Sequence, residues 1–507
     1  MTTNYPITLR LFFILCLPIF LSFSFSNGKD PQTDDENPRI RPYVKNPSYW
    51  QYKNQPVLLL GGSSDDNLFQ QTSPELIEEL DRLVQFGGNY LRCTMSSRDS
   101  GNVFAFAIDP KSGLFDLNKW NEEYWSRFEY FLSETQKREI IVQVEIWETY
   151  DFYSRSSHVI DGQTAWGRNP FNPKNNINYT AQTSGLLEDF TSNGFELINS
   201  FFNTVLPLVI PFDFEKTYTV LAFQQKFVDK LLSISLKYDH VLYVIDNETN
   251  ADPKWSIYWS QYIKDKAEQA QIQIEVTEMW DTFDPTGGAV PDAIVQDPAN
   301  HFFTLRSGVA NTLYDTENFS FVDISNHNAQ VGETHYETGL YVWNEIQNSG
   351  KIRPITNTKI YGNLGGWAGN MTDAQERFWR NIFAGSSSVR FHRPTVGIGH
   401  SDLALSHINS MRMLTETIDI FTCKPSNGLM TGKEPNEAYC LANENSEILV
   451  FFPKGGEVVL NPTKGRYEVQ WMDILSSIWL PSTYLDLPGN LITPSDGFWA
   501  VKVKKID

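Results

Sequence analysis

The sequence predicts a (β/α)8 barrel followed by a small C-terminal β-sandwich. Between about residues 56 and 418, eight short apolar runs alternate with segments of helical periodicity, which is typical of a parallel sheet. Eight repeats fit a barrel that is enlarged by its loops. From about Asn436 onward, short alternating strands are divided by Pro and Gly, and this pattern indicates an antiparallel sandwich.

A doubly wound open sheet is the alternative for the first region. No G-x-G-x-x-G pattern follows the first apolar run, and the stretch "GGSSDDN" lacks the lysine of a nucleoside triphosphate loop. The sequence therefore indicates neither a dinucleotide nor a nucleoside triphosphate as a ligand.

The predicted elements follow from apolar runs, helical spacing and helix-capping residues. The predicted strands cover 56–64, 89–95, 139–147, 241–250, 272–281, 319–328, 353–362 and 387–394. The predicted helices cover 73–88, 116–138, 221–238, 254–270, 335–350, 373–385 and 401–418. Residues 148–216 show no regular pattern, and loops of such length usually carry function.

The N-terminus has the pattern of an export signal. Arg10 supplies the positive flank, residues 11–23 the apolar run, and Ser24 to Ser26 a small-x-small cleavage site. Residues 13–15 are a poor lipoprotein signature, so release to the periplasm or the medium is favoured over lipid anchoring. No later stretch resembles a transmembrane span.

These patterns predict four segments. They are a signal peptide at 1–26, a linker at 27–40, a barrel catalytic domain at 41–425 and a β-sandwich domain at 430–507. Of the cysteines beyond the signal, Cys423 and Cys440 are close enough in sequence to form a disulfide in an oxidising compartment. Cys93 lies within an apolar run and is predicted to be a buried thiol.

Composition excludes several classes of protein. The net charge of −20 argues against nucleic acid as a partner, because phosphate binding needs a basic surface. No HExxH or CxxC pattern is present, so no metal site or cofactor is expected. The aromatic content of 14% is ample for a core and could also supply rings that contact sugars.

Polar residues are concentrated at the ends of the predicted strands, where barrel proteins carry their active sites. The candidates are Asp65, Asp66, Arg92, Glu145, Trp147, Asn247, Glu248, Glu278, Trp280, Asp323, His327, Lys359, Arg390, His392 and Arg393. Carboxylates mixed with Trp, His and Arg suit a carbohydrate ligand. Hydrolysis of a glycosidic bond needs two carboxyl groups, and Glu248, which follows Asn247 at the end of the fourth strand, is the leading proton donor.

The layout of these residues resembles a known family. Arg92 on strand 2, Asn247-Glu248 on strand 4 and His327 on strand 6 resemble the arrangement in clan-A glycoside hydrolases, the retaining barrel superfamily that includes the cellulases. The opening "YWQYKNQPVLLLGGSS" also resembles apiosidase-like bacterial hydrolases, whose C-terminal domain is often labelled collagen-binding. The resemblance implies that Glu248 is the general acid/base.

The chain departs from that family on the seventh strand. Clan A implies a nucleophilic Glu there, but "ITNTKIYG" places Lys359 at that position, and an ammonium cannot replace a carboxylate. The substitutes are Glu278 first, then Asp323 and Glu145, and a widely separated pair would predict inversion. Alternatively, Glu278 forms an ion pair with Lys359 or Arg92.

The basic residues allow two interpretations. Arg92, Lys359, Arg390, His392 and Arg393 could bind a uronate or sulfate of the substrate, or they could neutralise neighbouring carboxylates. The expected function is therefore a secreted glycoside hydrolase. A carbohydrate-binding barrel without catalysis, or a surface adhesion protein, is the alternative.

Overall fold

The structure of the chain, a computed structural model, describes residues 37–152, 159–189, 201–202, 214–249, 253–286, 308–328, 330–443 and 447–506. From Pro38 onward the chain forms one compact unit. The predicted signal peptide, most of the predicted linker and parts of the irregular stretch at 148–216 lie outside the described residues. The export signal and the boundaries of the four segments therefore stay predictions.

A sheet of eight parallel strands forms a nearly closed barrel at the centre of the fold. The strands up to residue 391 are β1 (Arg41–Tyr43), β2 (Asn46–Tyr52), β3 (Gln55–Val57), β4 (Leu59–Gly62), β5 (Tyr90–Thr94), β6 (Phe106–Ile108), β7 (Phe115–Trp120), β8 (Ile141–Glu148), β9 (Val241–Asn247), β10 (Val276–Thr277), β11 (Val322–Asp323), β12 (Ile355–Ile360) and β13 (Ser388–Phe391). The barrel order is β10-β9-β8-β5-β4-β13-β12-β11.

This order confirms the predicted barrel and excludes the open doubly wound sheet, because the last strand, β13, pairs in parallel with the first, β4. The seam lies between β10 and β11. There the Ser320 amide donates to the Val276 carbonyl at 2.9 Å. A barrel of this kind carries its active site at the carboxyl ends of the strands, which is where the sequence places its polar residues.

Helices alternate with the barrel strands. They are α1 (Glu75–Gln85), α2 (Glu122–Lys137), α3 (Ala165–Arg168), α4 (Ala181–Ser184), α5 (Phe214–Ser235), α6 (Pro253–Gln269), α7 (Ala310–Tyr314), α8 (Gly332–Asn348), α9 (Met371–Phe383) and α10 (Asp402–Thr415). The prediction was wrong at 116–120, which belongs to β7 and pairs with β6. The Asn121 side chain caps α2 by accepting from the Glu123 amide, so the helix begins only after it.

The predicted first strand at 56–64 is divided between two sheets. β3 pairs with β2 in an antiparallel hairpin, whereas β4 enters the barrel. The hairpin closes the amino end of the barrel, because buried Trp50 packs edge-on against Phe321 at 5.2 Å and donates to Ser388 Oγ at 2.7 Å. Full burial of a large apolar side chain stabilises the fold by about 2–3 kcal/mol.

The C-terminal region is a separate antiparallel sheet, as predicted. Its strands are β14 (Lys424–Pro425), β15 (Met430–Thr431), β16 (Tyr439–Ala442), β17 (Glu447–Phe452), β18 (Glu457–Asp473), β19 (Ile478–Trp479), β20 (Thr483–Ile492) and β21 (Trp499–Lys505). Aromatic rings join it to the helix layer. Trp379 of α9 stacks on Phe451 of β17 at 5.1 Å, and Tyr336 of α8 contacts Tyr439 of β16 at 4.7 Å.

The predicted disulfide between Cys423 and Cys440 is wrong, because both thiols are free and buried. The two residues are not opposite one another in the sheet, since Lys424 pairs with Ala442 across β14 and β16. They also belong to different hydrophobic clusters: Cys423 packs with the barrel and helix core, and Cys440 with the core of the C-terminal sheet. Cys93 is buried and free.

None of the helices in the described ranges has the length and apolar character that crossing a bilayer requires.

Candidate active site

Asp66, in the loop after β4, is the centre of a buried charge network. Its carboxylate is fully buried, and it contacts Arg390 Nη2 at 3.0 Å, Arg92 Nη1 at 3.2 Å, His392 Nδ1 at 3.2 Å, Arg393 Nε at 3.4 Å and the Arg98 guanidinium. Burial alone would raise the pKa of Asp66, but the contacts with His392, Arg92, Arg98 and Arg390 hold that pKa well below its usual range. The carboxylate therefore stays ionised.

His392 contributes to this network as a neutral ring. Burial lowers its pKa to about 3, against the opposing effect of Asp66. A neutral imidazole can donate from Nδ1 to the Asp66 carboxylate, and the ring also stacks on Tyr361 with centroids 4.8 Å apart. The end of the last barrel strand, β13, is thus joined to the ends of the first strand, β4, and the seventh strand, β12.

Arg92 of β5 connects the ends of four strands. Its Nε donates to Glu145 Oε1 of β8 at 2.7 Å, and its Nη2 donates to Asn247 Oδ1 of β9 at 2.7 Å. Its Nη1 lies 3.2 Å from Asp66. The side chain is buried, and a buried guanidinium needs such anionic partners to offset its desolvation. These contacts fix the positions of the strand-end side chains relative to one another.

Glu248 lies directly after β9, and its side chain is 21% exposed. Its backbone has a φ of +60°, a conformation that non-glycine residues rarely adopt and that is often found at functional sites. Lys359 Nζ of β12 donates to its Oε1 at 2.5 Å. Burial alone would raise the pKa of Glu248, but the Lys359 ammonium, with Arg92, lowers it. In this state Glu248 is ionised.

Lys359 is almost completely buried, with a side chain that is 2% exposed. Burial alone would lower its pKa, but the Glu248 carboxylate raises it. Its Nζ also lies 3.5 Å from Asn326 Oδ1, and the Asn326 amide in turn donates to the Trp280 carbonyl at 2.6 Å. Lys359 therefore lies at the mouth of the barrel, where it forms an ion pair with Glu248, the predicted proton donor.

A second group of carboxyls lies beside Asn247. The Asn247 amide donates to Glu148 at the end of β8, and Thr149 Oγ1 donates to Asp246 at 3.1 Å. Burial raises the pKa of Glu148 to about 8, although Arg98 and Arg92 oppose it. Burial and the neighbouring Glu148 raise the pKa of Asp246 well above its usual value. These carboxyls hold protons more tightly than Glu248 does.

The structure places four predicted residues outside this cluster, namely Glu278, His327, Trp147 and Asp323. Buried Glu278 accepts from Thr312 Oγ1 of α7 at 2.9 Å, so it faces the helix layer, and burial raises its pKa to about 7. The proposed ion pair of Glu278 with Lys359 or Arg92 is not formed. His327 is stacked on His335 of α8, with centroids 4.1 Å apart.

Trp147 also faces away from the mouth. Its indole packs against Phe227 at 5.2 Å and Trp259 at 5.5 Å in the helix layer, so it is a core residue and not a platform for a sugar. Asp323 lies inside the barrel, where it accepts from Gln143 Nε2 at 3.0 Å, and burial raises its pKa to about 6.

The remaining predicted residues are Asp65 and Trp280. The Asp65 side chain is 37% exposed and lies 4.0 Å from Arg393 Nη1. Trp280 lies beyond the end of β10, which is Thr277, and is buried. Arg98, which contacts Asp66 and lies 3.9 Å from Glu148, was not among the predicted residues. It follows β5 by four residues in an irregular segment, so no strand pattern marked it.

Across the part of the chain that the structure describes, no group of three or more His, Cys, Asp or Glu side chains is placed to hold a metal ion.

Comparison with known proteins gives a structural likeness. No protein-family model matches the sequence, and no curated protein matches it. A glycoside hydrolase family 5 structure from Bacteroides vulgatus ATCC 8482 superposes with a TM-score of 0.60 at 11% identity, over 92% of this chain and 93% of that chain. A second structure, described as a glycoside hydrolase, has a TM-score of 0.56 at 11% identity, over 92% and 97% of the two chains. The chain therefore shares the fold of these hydrolases over nearly its full length.

Proposed function

We propose that the chain is a glycoside hydrolase that acts at the strand-end cluster around Glu248. The observation that carries the proposal is the partly exposed Glu248 carboxylate at the carboxyl end of the fourth barrel strand, next to Asn247 and joined through it to Arg92. Barrel enzymes place catalytic residues at this end. The structural likeness to glycoside hydrolases supports the same conclusion.

Cleavage of a glycosidic bond needs a proton for the leaving oxygen and a second carboxyl that attacks the anomeric carbon or activates water. Glu248, with a side chain that is 21% exposed, can reach a sugar at the mouth. Because Glu278 and Asp323 face elsewhere, the second carboxyl comes from the third strand, where Glu145 and Glu148 both contact the Arg92–Asn247 pair.

The test is product release from neutral, uronate and sulfated polysaccharides. An apioside is added to the panel because the stretch "YWQYKNQPVLLLGGSS" resembles apiosidase-like hydrolases. Wild type is compared with Glu248→Gln and with Glu333→Gln, whose carboxylate pairs with Lys433 at 3.0 Å away from the mouth. We expect Glu248→Gln to lose turnover by about 10²- to 10⁴-fold and Glu333→Gln to retain it. Full turnover by Glu248→Gln would refute the assignment.

A carbohydrate-binding barrel without catalysis is the second candidate. It is favoured by Lys359, which takes the position of the expected nucleophile and neutralises Glu248. Glycan binding by the wild type without product release from any member of the panel would support it. Binding of the full chain to a matrix protein such as collagen, without glycan binding, would instead support the adhesion protein.

We also propose that the chain is exported and that its signal is removed after residue 26. The basis is the pattern of a positive flank, an apolar run and a small-x-small site at the N-terminus. Mass spectrometry of the protein recovered from the periplasm and the medium should give an N-terminus at residue 27. Recovery only from the cytoplasm, with residue 1 or 2 at the N-terminus, would contradict export.

A further inference from the structure

We propose that Lys359 binds an anionic group of the substrate, a uronate carboxylate or a sulfate, and that Glu248 leaves Lys359 when this group binds. The inference rests on the proposed function and names the class of substrate for that site. It starts from the contact of 2.5 Å between Lys359 Nζ and Glu248 Oε1.

Glu248 covers the lysine on the side of the mouth. The Glu248 side chain is 21% exposed, whereas the Lys359 side chain is 2% exposed. Among the described residues, no other carboxylate lies within ion-pair distance of this ammonium, and its further contact is the Asn326 amide oxygen at 3.5 Å. A buried ammonium without an anion is costly, so Glu248 can move to a substrate only if another anion takes its place.

The other cations of the cluster already have partners, at least one of which is a buried carboxylate. Arg92 is bonded to Glu145, Asn247 and Asp66. Arg390 is bonded to Asp66 and to the Thr358 carbonyl. Arg393 contacts Asp66 and Asp99, each at 3.4 Å. Lys359 differs from them because its one carboxylate partner is the proposed catalytic group.

Replacement of Glu248 by a substrate anion beside Lys359 would prepare Glu248 for catalysis. The charged and titratable groups that face Glu248 are Lys359 and Tyr361 from β12 and its end, Arg92 from β5 and His392 after β13. Once a substrate anion neutralises Lys359, the main effect that favours the ionised carboxylate is removed, and burial favours the protonated form. Glu248 then takes a proton from solvent.

The subsequent step is an ordinary hydrolysis. The Glu248 proton passes to the glycosidic oxygen as the bond between that oxygen and the anomeric carbon breaks. Water supplies the hydroxyl to the anomeric carbon, and its other proton returns to the ionised Glu248 carboxylate. Selectivity for acidic substrates follows, because a neutral sugar leaves Glu248 paired with Lys359.

The experiment uses the uronate and sulfated polysaccharides of the panel beside their carboxyl-reduced or desulfated forms, on the full mature protein. Wild type is compared with Lys359→Met, with Lys359→Arg, which keeps the charge, and with Lys433→Met, which removes a matched Lys–Glu pair away from the mouth. We expect wild type and Lys433→Met to prefer the acidic form by at least about tenfold in kcat/KM. Lys359→Met should lose this preference, and Lys359→Arg should retain part of it.

A pH profile separates this role from a structural one. Without Lys359 the pKa of Glu248 in the free protein rises, so activity of Lys359→Met on the neutral form should extend to higher pH than that of wild type. Equal kcat/KM on the acidic and neutral forms by wild type, or an unchanged preference in a folded Lys359→Met, would overturn the inference.

Failure of the hydrolase proposal gives a different result. If wild type releases no product, calorimetric binding of the same paired glycans decides the inference. Preferential binding of the acidic form that is lost in Lys359→Met supports it. No preference for any acidic form overturns it.

Discussion

Removal of the Asp66 carboxylate should destabilise the barrel strongly. Asp66→Ala deletes the buried anion that Arg390, Arg92, Arg98, Arg393 and His392 all contact. Arg390 is affected most, because among the described residues Asp66 is its one carboxylate partner, and its side chain is fully buried. Its other contacts, with the Thr358 and Asp65 carbonyls, Ser63 and the neutral His392 ring, carry no countercharge.

The expected loss in the free energy of unfolding is about 3–5 kcal/mol, the cost of one uncompensated buried charge. The other cations add little, because Arg92 keeps Glu145 at 2.7 Å and Arg393 keeps Asp99 at 3.4 Å.

The assay is urea unfolding at pH 7, followed by tryptophan fluorescence, for wild type and Asp66→Ala. Asp402→Ala is the control, because its carboxylate contacts Arg82 but is 94% exposed, and such surface pairs contribute little. Arg390→Met and the double variant complete a cycle, in which the double variant should be more stable than the sum of the single losses predicts by about 1–3 kcal/mol. A loss below about 1 kcal/mol in Asp66→Ala, or additive losses in the cycle, would refute the reasoning.

Three further outcomes follow from the described contacts. Glu278→Gln should keep wild-type turnover, because the Glu278 carboxyl faces the helix layer. Loss of turnover in a folded Glu278→Gln variant would show that Glu278 belongs to the active site. His407 accepts from Trp379 Nε1 at 2.8 Å, and burial lowers its pKa to about 3. The unfolded chain therefore binds its proton first, and stability is lost as the pH falls below about 6.5. In urea titrations between pH 6.5 and 4.5, the unfolding free energy of wild type should fall more steeply with falling pH than that of His407→Phe, by about 1.4 kcal/mol per pH unit. An equal slope in the two proteins would contradict the buried neutral ring. The thiols of Cys423 and Cys440, free and buried, should react with a thiol reagent only after denaturation, whereas a disulfide would leave both unreactive.

The barrel could be predicted because its signals are local. The runs at 89–95, 139–147 and 241–250 correspond to β5, β8 and β9, which are buried on both sides and pair on both edges. The runs at 272–281 and 319–328 contain only the two-residue strands β10 and β11. Each of these strands lies at the seam and lacks one neighbour, and a sequence gives no sign of which strands the seam separates.

The candidate site was predicted in composition but not in arrangement. Asn247 and Glu248 were expected at the mouth and lie there, since Asn247 ends β9 and Glu248 follows it, and Arg92 reaches Asn247 from within β5. Trp147 and Glu278 also lie at strand ends, but their side chains face the helices. The side chain of a strand-end residue can point towards the mouth or towards the helices. Its direction depends on the twist of the barrel and on local irregularity where the hydrogen bonding between strands ends.

By itself, the sequence determined the order of strands and helices, the change to an antiparallel domain and the presence of polar groups at the strand ends. These properties depend on periodicity and on turn residues a few positions apart. Only the tertiary structure decided that Lys359 pairs with Glu248 across 111 residues of chain and that the basic partners of Asp66 come from two strands, β5 and β13, and the residues after them. Such pairs are set by the register of strands around a closed barrel, where ion-pair distances of a few ångströms depend on every strand between the partners.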